Sequence, residues 1–467
     1  MRRPKPFDRA RGSAEDLIGE RPRRLGEGVA RELARLGSAE RIGLALVALA
    51  MLAGAILRLH AIGGDDRLSS DELGYIGDAN KLIGLSGYNS FHWAPGTPIL
   101  FTIAAWLSGH SAISAVTHSH GIAQYAQWLV EMATLALAGA LAWRLAGIWA
   151  ALLAVFAIAT YGPLIVVTRT YLSEPLGGLM LVAMVGAAAL ARTRGPRWLA
   201  GAGVIAGLAC LAREDFLPGL LVVIAAFALE RGGGRRRALR RAAIYGAAAL
   251  VTLAPWVAFA SAENHGLVAV TTGGTDSLFI GTYLPGDGSQ FQTVAAFKHR
   301  VCQRFPKQCD SPPGDAGPMF RLIQAEHPGD SRNQAIIAAV LSNLDHYMLG
   351  RPLAFVGLLA RKLWSTWSAP WSGGNGTHEG PSSTATALDL IAAGAAWLGV
   401  VLAAWLHRRR WEVVVATAVL VVVVWFNDWF GPEPRDTLRL APLLFALGAS
   451  GLVAAARRAT GAPAART

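Results

Sequence analysis

Four short segments of this sequence hold acids and arginines close together. The first is Ser69-Ser70-Asp71-Glu72-Leu73-Gly74-Tyr75, and the second runs Thr168-Arg169-Thr170-Tyr171-Leu172-Ser173-Glu174-Pro175. The third is Arg213-Glu214-Asp215, and the last is Glu433-Pro434-Arg435-Asp436-Thr437-Leu438-Arg439. A carboxylate can take a proton from a hydroxyl. A guanidinium offers a fork of N–H donors that fits a phosphate or carboxylate. One base with several arginines is therefore an inventory for chemistry on an anion. The plainer reading is that acids in a first helical turn complement the helix dipole, and that the rest are surface ion pairs.

The elements that must carry these segments are apolar. Of 467 residues 53% are hydrophobic and only 16% charged, against about 25% charged in a soluble domain. This excludes a disordered chain, a collagen and an ordinary soluble enzyme. Apolar runs long enough to cross a bilayer as helices fall roughly at 42–59, 121–142, 148–167, 175–191, 198–212, 215–229, 242–260, 385–406, 411–427 and 439–456. The predicted fold class is an all-α integral membrane protein of about ten transmembrane helices. Two large outer loops carry interfacial helices.

Net charge is +12, and 27 of the 43 basic residues fall in the N-terminal tail, in alternate loops and at the C-terminus. The positive-inside rule makes that side cytoplasmic and puts both termini there, in a multi-pass protein of the plasma or inner membrane. It also accounts for the basic balance without nucleic acid. Most acids then lie outside, and the four charged segments share one outer level. The expected organisation is a basic cytoplasmic tail at 1–41 and an N-terminal transmembrane core at 42–260, whose first outer loop is 60–120. A large outer loop with an interfacial helix follows at 261–384, then C-terminal helices at 385–456 and a cytoplasmic tail at 457–467.

Within the first loop, Ser70 reads as an N-cap, with Asp71 and Glu72 in the first turn. Leu73, Ile76, Leu82 and Ile83 mark its apolar face. Arg169 and Glu174 read as a compact pair in one outer turn. Glu131 sits inside the second span, where an acid is a functional candidate by default. The stretch 352–371 carries Arg361 and Lys362 in its middle, too costly for a span, and reads as interfacial. His60, His92, His265 and His299 lack metal-ligand spacing and read as plain surface histidines. Cys302 and Cys309 are expected to pair in the outer compartment, and Cys210 to be a buried apolar residue.

The order of these features resembles the GT-C membrane glycosyltransferases, in particular the protein O-mannosyltransferase and aminoarabinose transferase group (family 39-like). The features are the Asp71-Glu72 loop after the first span, Arg then acid between the third and fourth, and the Gly-rich run from Ala202 to Arg213. Pro255-Trp256 before a large loop and the segment Pro434 to Pro442 complete the set. The pattern departs at His92-Trp93-Ala94-Pro95-Gly96-Thr97-Pro98, where relatives often have His-Pro-Pro-Leu, and at Arg213, where they often have Lys. The resemblance covers most of 42–456. It implies an enzyme that moves a sugar from a polyprenyl-phosphate carrier to an acceptor hydroxyl on the outer face, with inversion. It also implies Asp71 as base with Glu72 as runner-up, and Glu174 as a second acid positioning the acceptor or a metal. Arg169, Arg213, Arg435 and Arg439 become candidates for the carrier phosphate. No cofactor is required, and a divalent metal is left open. The expected partners are the sugar donor, an acceptor that is a lipid, polysaccharide or protein, and membrane lipids, with no nucleic acid.

Two other classes compete. A transporter or flippase for such lipids should hold its polar groups at mid-membrane in repeated halves; here they are in outer loops, without a repeat. A non-catalytic envelope-assembly subunit explains the spans but not the acids beside arginines.

Overall fold

The computed structural model describes residues 37–63, 68–83, 87–88, 91–109, 121–230, 234–264, 266–312, 314–371, 383–431 and 433–461. Most of the predicted basic tail lies outside these residues, as do 462–467. Two units are distinguished, 1–49 and 50–467. The described part of the first is helical from Ser38; all that follows concerns the second.

The described residues are all-helical, without strands. The long elements are α1 (Ser38–Ala61), α2 (Ser70–Ile83), α3 (Gly96–Leu107), α4 (Ile122–Ala146), α5 (Ile148–Thr160) and α6 (Gly162–Val166). Next come α7 (Glu174–Ala191), α8 (Pro196–Ala212), α9 (Leu217–Ala228) and α10 (Arg235–Glu263). The second outer loop forms α11 (Gly273–Thr282), α12 (Gln290–Arg304), α13 (Gly317–Glu326), α14 (Arg332–Asn343) and α15 (Pro352–Ser368). The chain ends with α16 (Ser383–Leu406), α17 (Trp411–Asp428) and α18 (Ala441–Ala459). Each predicted apolar run is helical. Six helices, α1, α4, α7, α10, α16 and α17, are long and apolar enough to cross a membrane. The chain is a multi-pass membrane protein.

The core is α18, buried at every residue from Ala441 to Gly451. A helix enclosed on all sides must be approached closely, and small residues permit it. A Cβ on Gly448 would lie 2.6 Å from the Ala396 carbonyl oxygen of α16.

The expected third span, 148–167, is not straight. It bends by 61° between Thr160 and Gly162. Pro163 has no N–H, so the Ala159 carbonyl loses its helical partner. Arg58 replaces it, donating through Nη1 to Ala159 O at 3.1 Å and through Nη2 to Ile158 O at 2.9 Å. Gly162 N–H turns instead to Asp389 Oδ1, 3.1 Å away. Arg58 is balanced by Glu131, with Nε to Oε2 at 2.5 Å, and Thr168 Oγ1 donates to the same oxygen at 2.6 Å. The intramembrane acid thus holds a broken helix together.

In the first outer loop, Tyr75, Ile76 and Ala79 of α2 pack on Phe101 and Ala105 of α3 and on Tyr171 and Leu172. Leu73, expected on the apolar face, is exposed. The buried side of α2 is set one step round the helix, because Glu72 and Tyr75 are needed inward.

The segment expected as the second outer loop holds more than one helix. Helices α11 to α14 enclose an apolar core of their own, built on Phe279, Phe297, Met319, Phe320, Ile336 and Val340. Cys302 and Cys309 are joined by a disulfide in this subdomain. Helix α15 buries Phe355, Leu358 and Lys362 and exposes Leu353, Val356 and Trp364. Lys362 donates through Nζ to Gly281 O at 3.0 Å and to the Asp428 carbonyl, linking the subdomain to the end of α17.

Candidate active site

Ser69, not Ser70, caps α2. Its Oγ accepts from Glu72 N–H at 3.3 Å, while Glu72 Oε2 accepts from Ser69 N–H at 2.8 Å, a reciprocal capping box. Glu72 Oε1 also accepts from Tyr171 N–H at 3.0 Å. Glu72 is therefore buried and spent on backbone. Asp71, one residue earlier, turns about 100° round the helix into a cavity and meets the Arg435 guanidinium.

Glu174 opens α7. Its Oε1 lies 3.4 Å from Arg213 Nη1 and 4.0 Å from Arg435 Nε. The Arg169–Glu174 pair expected from the sequence does not form among the described residues. Arg169 ends a 3-10 turn, is not among the residues lining the cavity, and its carbonyl accepts from Gln124 Nε2. Ser173 stands at the N-cap of α7 but makes no side-chain cap bond; its Oγ accepts from Tyr75 Oη at 2.9 Å and from Arg213 Nη1 at 2.6 Å.

Arg213 leaves the end of α8 and turns into Glu214–Phe216. It reaches Asp215 Oδ1 and Asp436 Oδ1, each at 3.5 Å. The segment before α18 is tied by its own box, with Glu433 N–H donating to Asp436 Oδ2 at 2.9 Å. Arg435 Nε lies 3.1 Å from Glu433. Arg439 is 1% exposed and is fixed by Asp215 Oδ2 at 2.5 Å, Asn427 Oδ1 at 2.6 Å and Asp436. Four chain segments far apart in sequence thus converge, as expected, with Arg169 left out. Asn427, Tyr75 and Ser173 join them unforeseen. For Asn427 the signal was present: Asn427-Asp428 is a polar pair ending an apolar span.

The convergence lines a cavity of about 430 Å³. Asp71, Arg213 and Arg435 border one wall; His92, Asp276 and Arg332 border another. Carboxylates outnumber guanidiniums around it. Burial would raise the Asp436 carboxyl, yet Arg439, Arg213 and Arg435 hold it down at about 2. Burial, reinforced by Asp215, pushes the Glu214 carboxyl up. Burial likewise pushes Glu433 up, against Arg435. The Arg435 and Arg213 guanidiniums are held fully charged by the acids around them.

No group of three or more His, Cys, Asp or Glu is arranged to hold a metal among the described residues. The divalent metal left open by the sequence therefore has no ready-made ligand set among the described residues.

No protein-family model and no curated protein matches the sequence. Solved structures do match. The archaeal oligosaccharyltransferase AglB from Archaeoglobus fulgidus, in complex with an inhibitory peptide and a dolichol-phosphate, aligns at 14% identity and TM-score 0.50 over 92% of this chain and 53% of that one. The oligosaccharyltransferase of the same organism tethered to an acceptor peptide aligns at 15% identity and TM-score 0.52, over 88% and 49%. Over the aligned residues the chain shares the fold of these oligosaccharyltransferase structures. ArnT from Cupriavidus metallidurans bound to undecaprenyl phosphate aligns more loosely, at 17% identity and TM-score 0.39 over 91% and 79%. The chain spans about half the length of the oligosaccharyltransferase structures it matches. Identity this low shows a shared fold and leaves the chemistry to be argued from the residues.

Proposed function

We propose that the chain is an integral-membrane glycosyltransferase that moves a sugar from a polyprenyl-phosphate carrier to an acceptor hydroxyl at the outer face. The single observation that carries this reading is Asp71 beside Arg435 on the wall of the cavity, with Glu72 withdrawn into backbone hydrogen bonds. AglB is solved with a dolichol-phosphate, which supports a carrier of that class here. Ten spans, with both termini cytoplasmic in the plasma or inner membrane, follow from the charge pattern and put the cavity outside.

Asp71 takes the proton of the acceptor hydroxyl. The oxygen attacks the anomeric carbon on the face opposite the phosphate, and the anomeric carbon–oxygen bond to phosphate breaks. The phosphate leaves with the electron pair, so the product is inverted. A phosphate leaving group needs electrostatic stabilisation more than a proton, and Arg435 with Arg213 provides it. Arg439 is too deeply enclosed to reach a ligand and orients Asp215 and Asp436. Glu174 holds both working arginines. Arg435 engages Asp71, so a phosphate binding there competes for that guanidinium and releases the base.

The test is an assay of the purified chain in bilayers with a panel of polyprenyl-phosphate sugars, read by mass spectrometry. The expected result is transfer from at least one donor with release of polyprenyl phosphate. A carrier moved between leaflets without any glycosidic bond broken would overturn the enzyme reading in favour of a transporter.

A further inference from the structure

Part of the cavity lining comes from the α11–α14 subdomain. Asp276 lies in the first turn of α11 and is 5% exposed. Its Oδ2 meets Arg332 Nη2 at 2.5 Å, while Oδ1 has no hydrogen-bond partner among the described residues. A buried carboxylate oxygen without a donor costs about 1–3 kcal/mol or more. Such an atom beside a cavity is either a fault or half of a hydrogen bond awaiting its donor.

The surroundings are built to keep it there. Thr275 Oγ1 donates to Asn333 Oδ1 at 2.8 Å, fastening α11 to α14 next to Asp276. The Arg332 guanidinium lies over the Phe320 ring, 5.2 Å from its centroid. A Cβ at Gly273 would come within 2.5 Å of the His92 carbonyl, so only glycine lets α11 close on this wall. Arg332 neutralises the charge of Asp276, which makes the free oxygen a poor site for a cation and a good one for a neutral hydroxyl. His92, which also lines the cavity, offers ring surface beside it. A carboxylate acceptor next to aromatic surface fits a sugar, which has hydroxyl donors at its rim and C–H groups on its faces.

We propose that Asp276, held by Arg332 and flanked by His92, is a sugar-hydroxyl subsite of the cavity that Asp71 and Arg435 also line. It determines which sugar the cavity accepts. The inference rests on the glycosyl-transfer reading of that cavity, and the sugar it grips belongs either to the donor or to the acceptor.

The experiment uses the full chain in detergent, with Kd measured for farnesyl phosphate, for its mannosyl, glucosyl and arabinosyl phosphodiesters, and for the free methyl glycosides. Asp276→Asn is expected to weaken at least one sugar-bearing probe about tenfold, the loss of one charge-assisted hydrogen bond, and to leave bare farnesyl phosphate unchanged. Loss confined to the phosphodiesters assigns the subsite to the donor sugar; loss confined to the methyl glycosides assigns it to the acceptor. Asp276→Glu retains a carboxylate for Arg332 but shifts its free oxygen. It should melt like the wild type, lose the same sugar, and carry the test if Asp276→Asn does not fold. Equal weakening of bare farnesyl phosphate overturns the subsite, as does no change on any sugar probe or a wild type that binds none of them. Failure of the wild type to bind bare farnesyl phosphate counts instead against the carrier reading, and the methyl glycosides still decide the subsite.

Discussion

The Arg58–Glu131 pair within the helices and the cluster around Arg213, Arg435 and Arg439 use the same residue types to opposite ends. Arg58 is 1% exposed, and its donors are taken by Glu131, Gly54, Ala159 and Ile158. One guanidinium meets one carboxylate and the carbonyls freed by a broken helix. Each Arg58 nitrogen is engaged, and only Glu131 Oε1 of the pair lacks a hydrogen bond. In the other cluster the acids exceed the arginines, a cavity adjoins them, and Glu174 Oε2 lacks a hydrogen bond. A closed pair stabilises; an open cluster can exchange partners. What separates them is access and stoichiometry rather than residue type.

The largest expected effect lies in the open cluster. Asp71→Asn keeps shape while removing basicity, and should lower turnover by about 10²–10⁴ with donor binding retained. Single-turnover transfer against donor Kd checks this, and wild-type rates in the variant would reduce Asp71 to an ordinary ion-pair partner. In the closed pair, Arg58→Met strands Glu131 and should destabilise the fold by about 3–5 kcal/mol. Thermal unfolding of Arg58→Met with Glu131→Leu should recover the charge part but not the carbonyl contacts of Ala159 and Ile158. A single variant as stable as the wild type would erase the distinction between the two regions.

Glu72→Gln sharpens the comparison within one helical turn. Its acceptor role to Ser69 and Tyr171 is structural, so the cost is about 1 kcal/mol of stability, with turnover within about tenfold of wild type. A dead Glu72→Gln beside an active Asp71→Asn would shift the base by one residue.

Lys362 is a third buried cation, bonded to carbonyls rather than to a carboxylate. Burial lowers its ammonium from 10.5 to about 8, against the pull of Asp428. Between those values the unfolded chain holds a proton that the folded chain has released. Stability should therefore rise with pH from about 8 to about 10.5, by on the order of 1 kcal/mol per pH unit. Subtracting the melting curves of Lys362→Met isolates this slope, and identical slopes in both proteins would show that Lys362 stays charged when folded.

Much of this protein was legible in its sequence because the bilayer imposes a one-dimensional code. Apolar length marks helices, arginine bias marks sides, and both are read without knowing any contact. The four charged segments could be placed at one level on that basis alone. Which of them touch could not. Asp71 meets Arg435 across more than three hundred residues, while Arg169, near Glu174 in sequence, is not among the residues lining the cavity. Helical rotation separates Asp71 from Glu72, and only packing decides which one the cavity receives. The core of the second outer loop was hidden for a related reason: helices α11 to α14 are short, with apolar residues too sparse to stand out until four of them share one interior. The bend at Pro163 had its local cause in the sequence. Its remedy, an arginine about a hundred residues upstream, exists only in three dimensions, where side chains meet regardless of their distance along the chain.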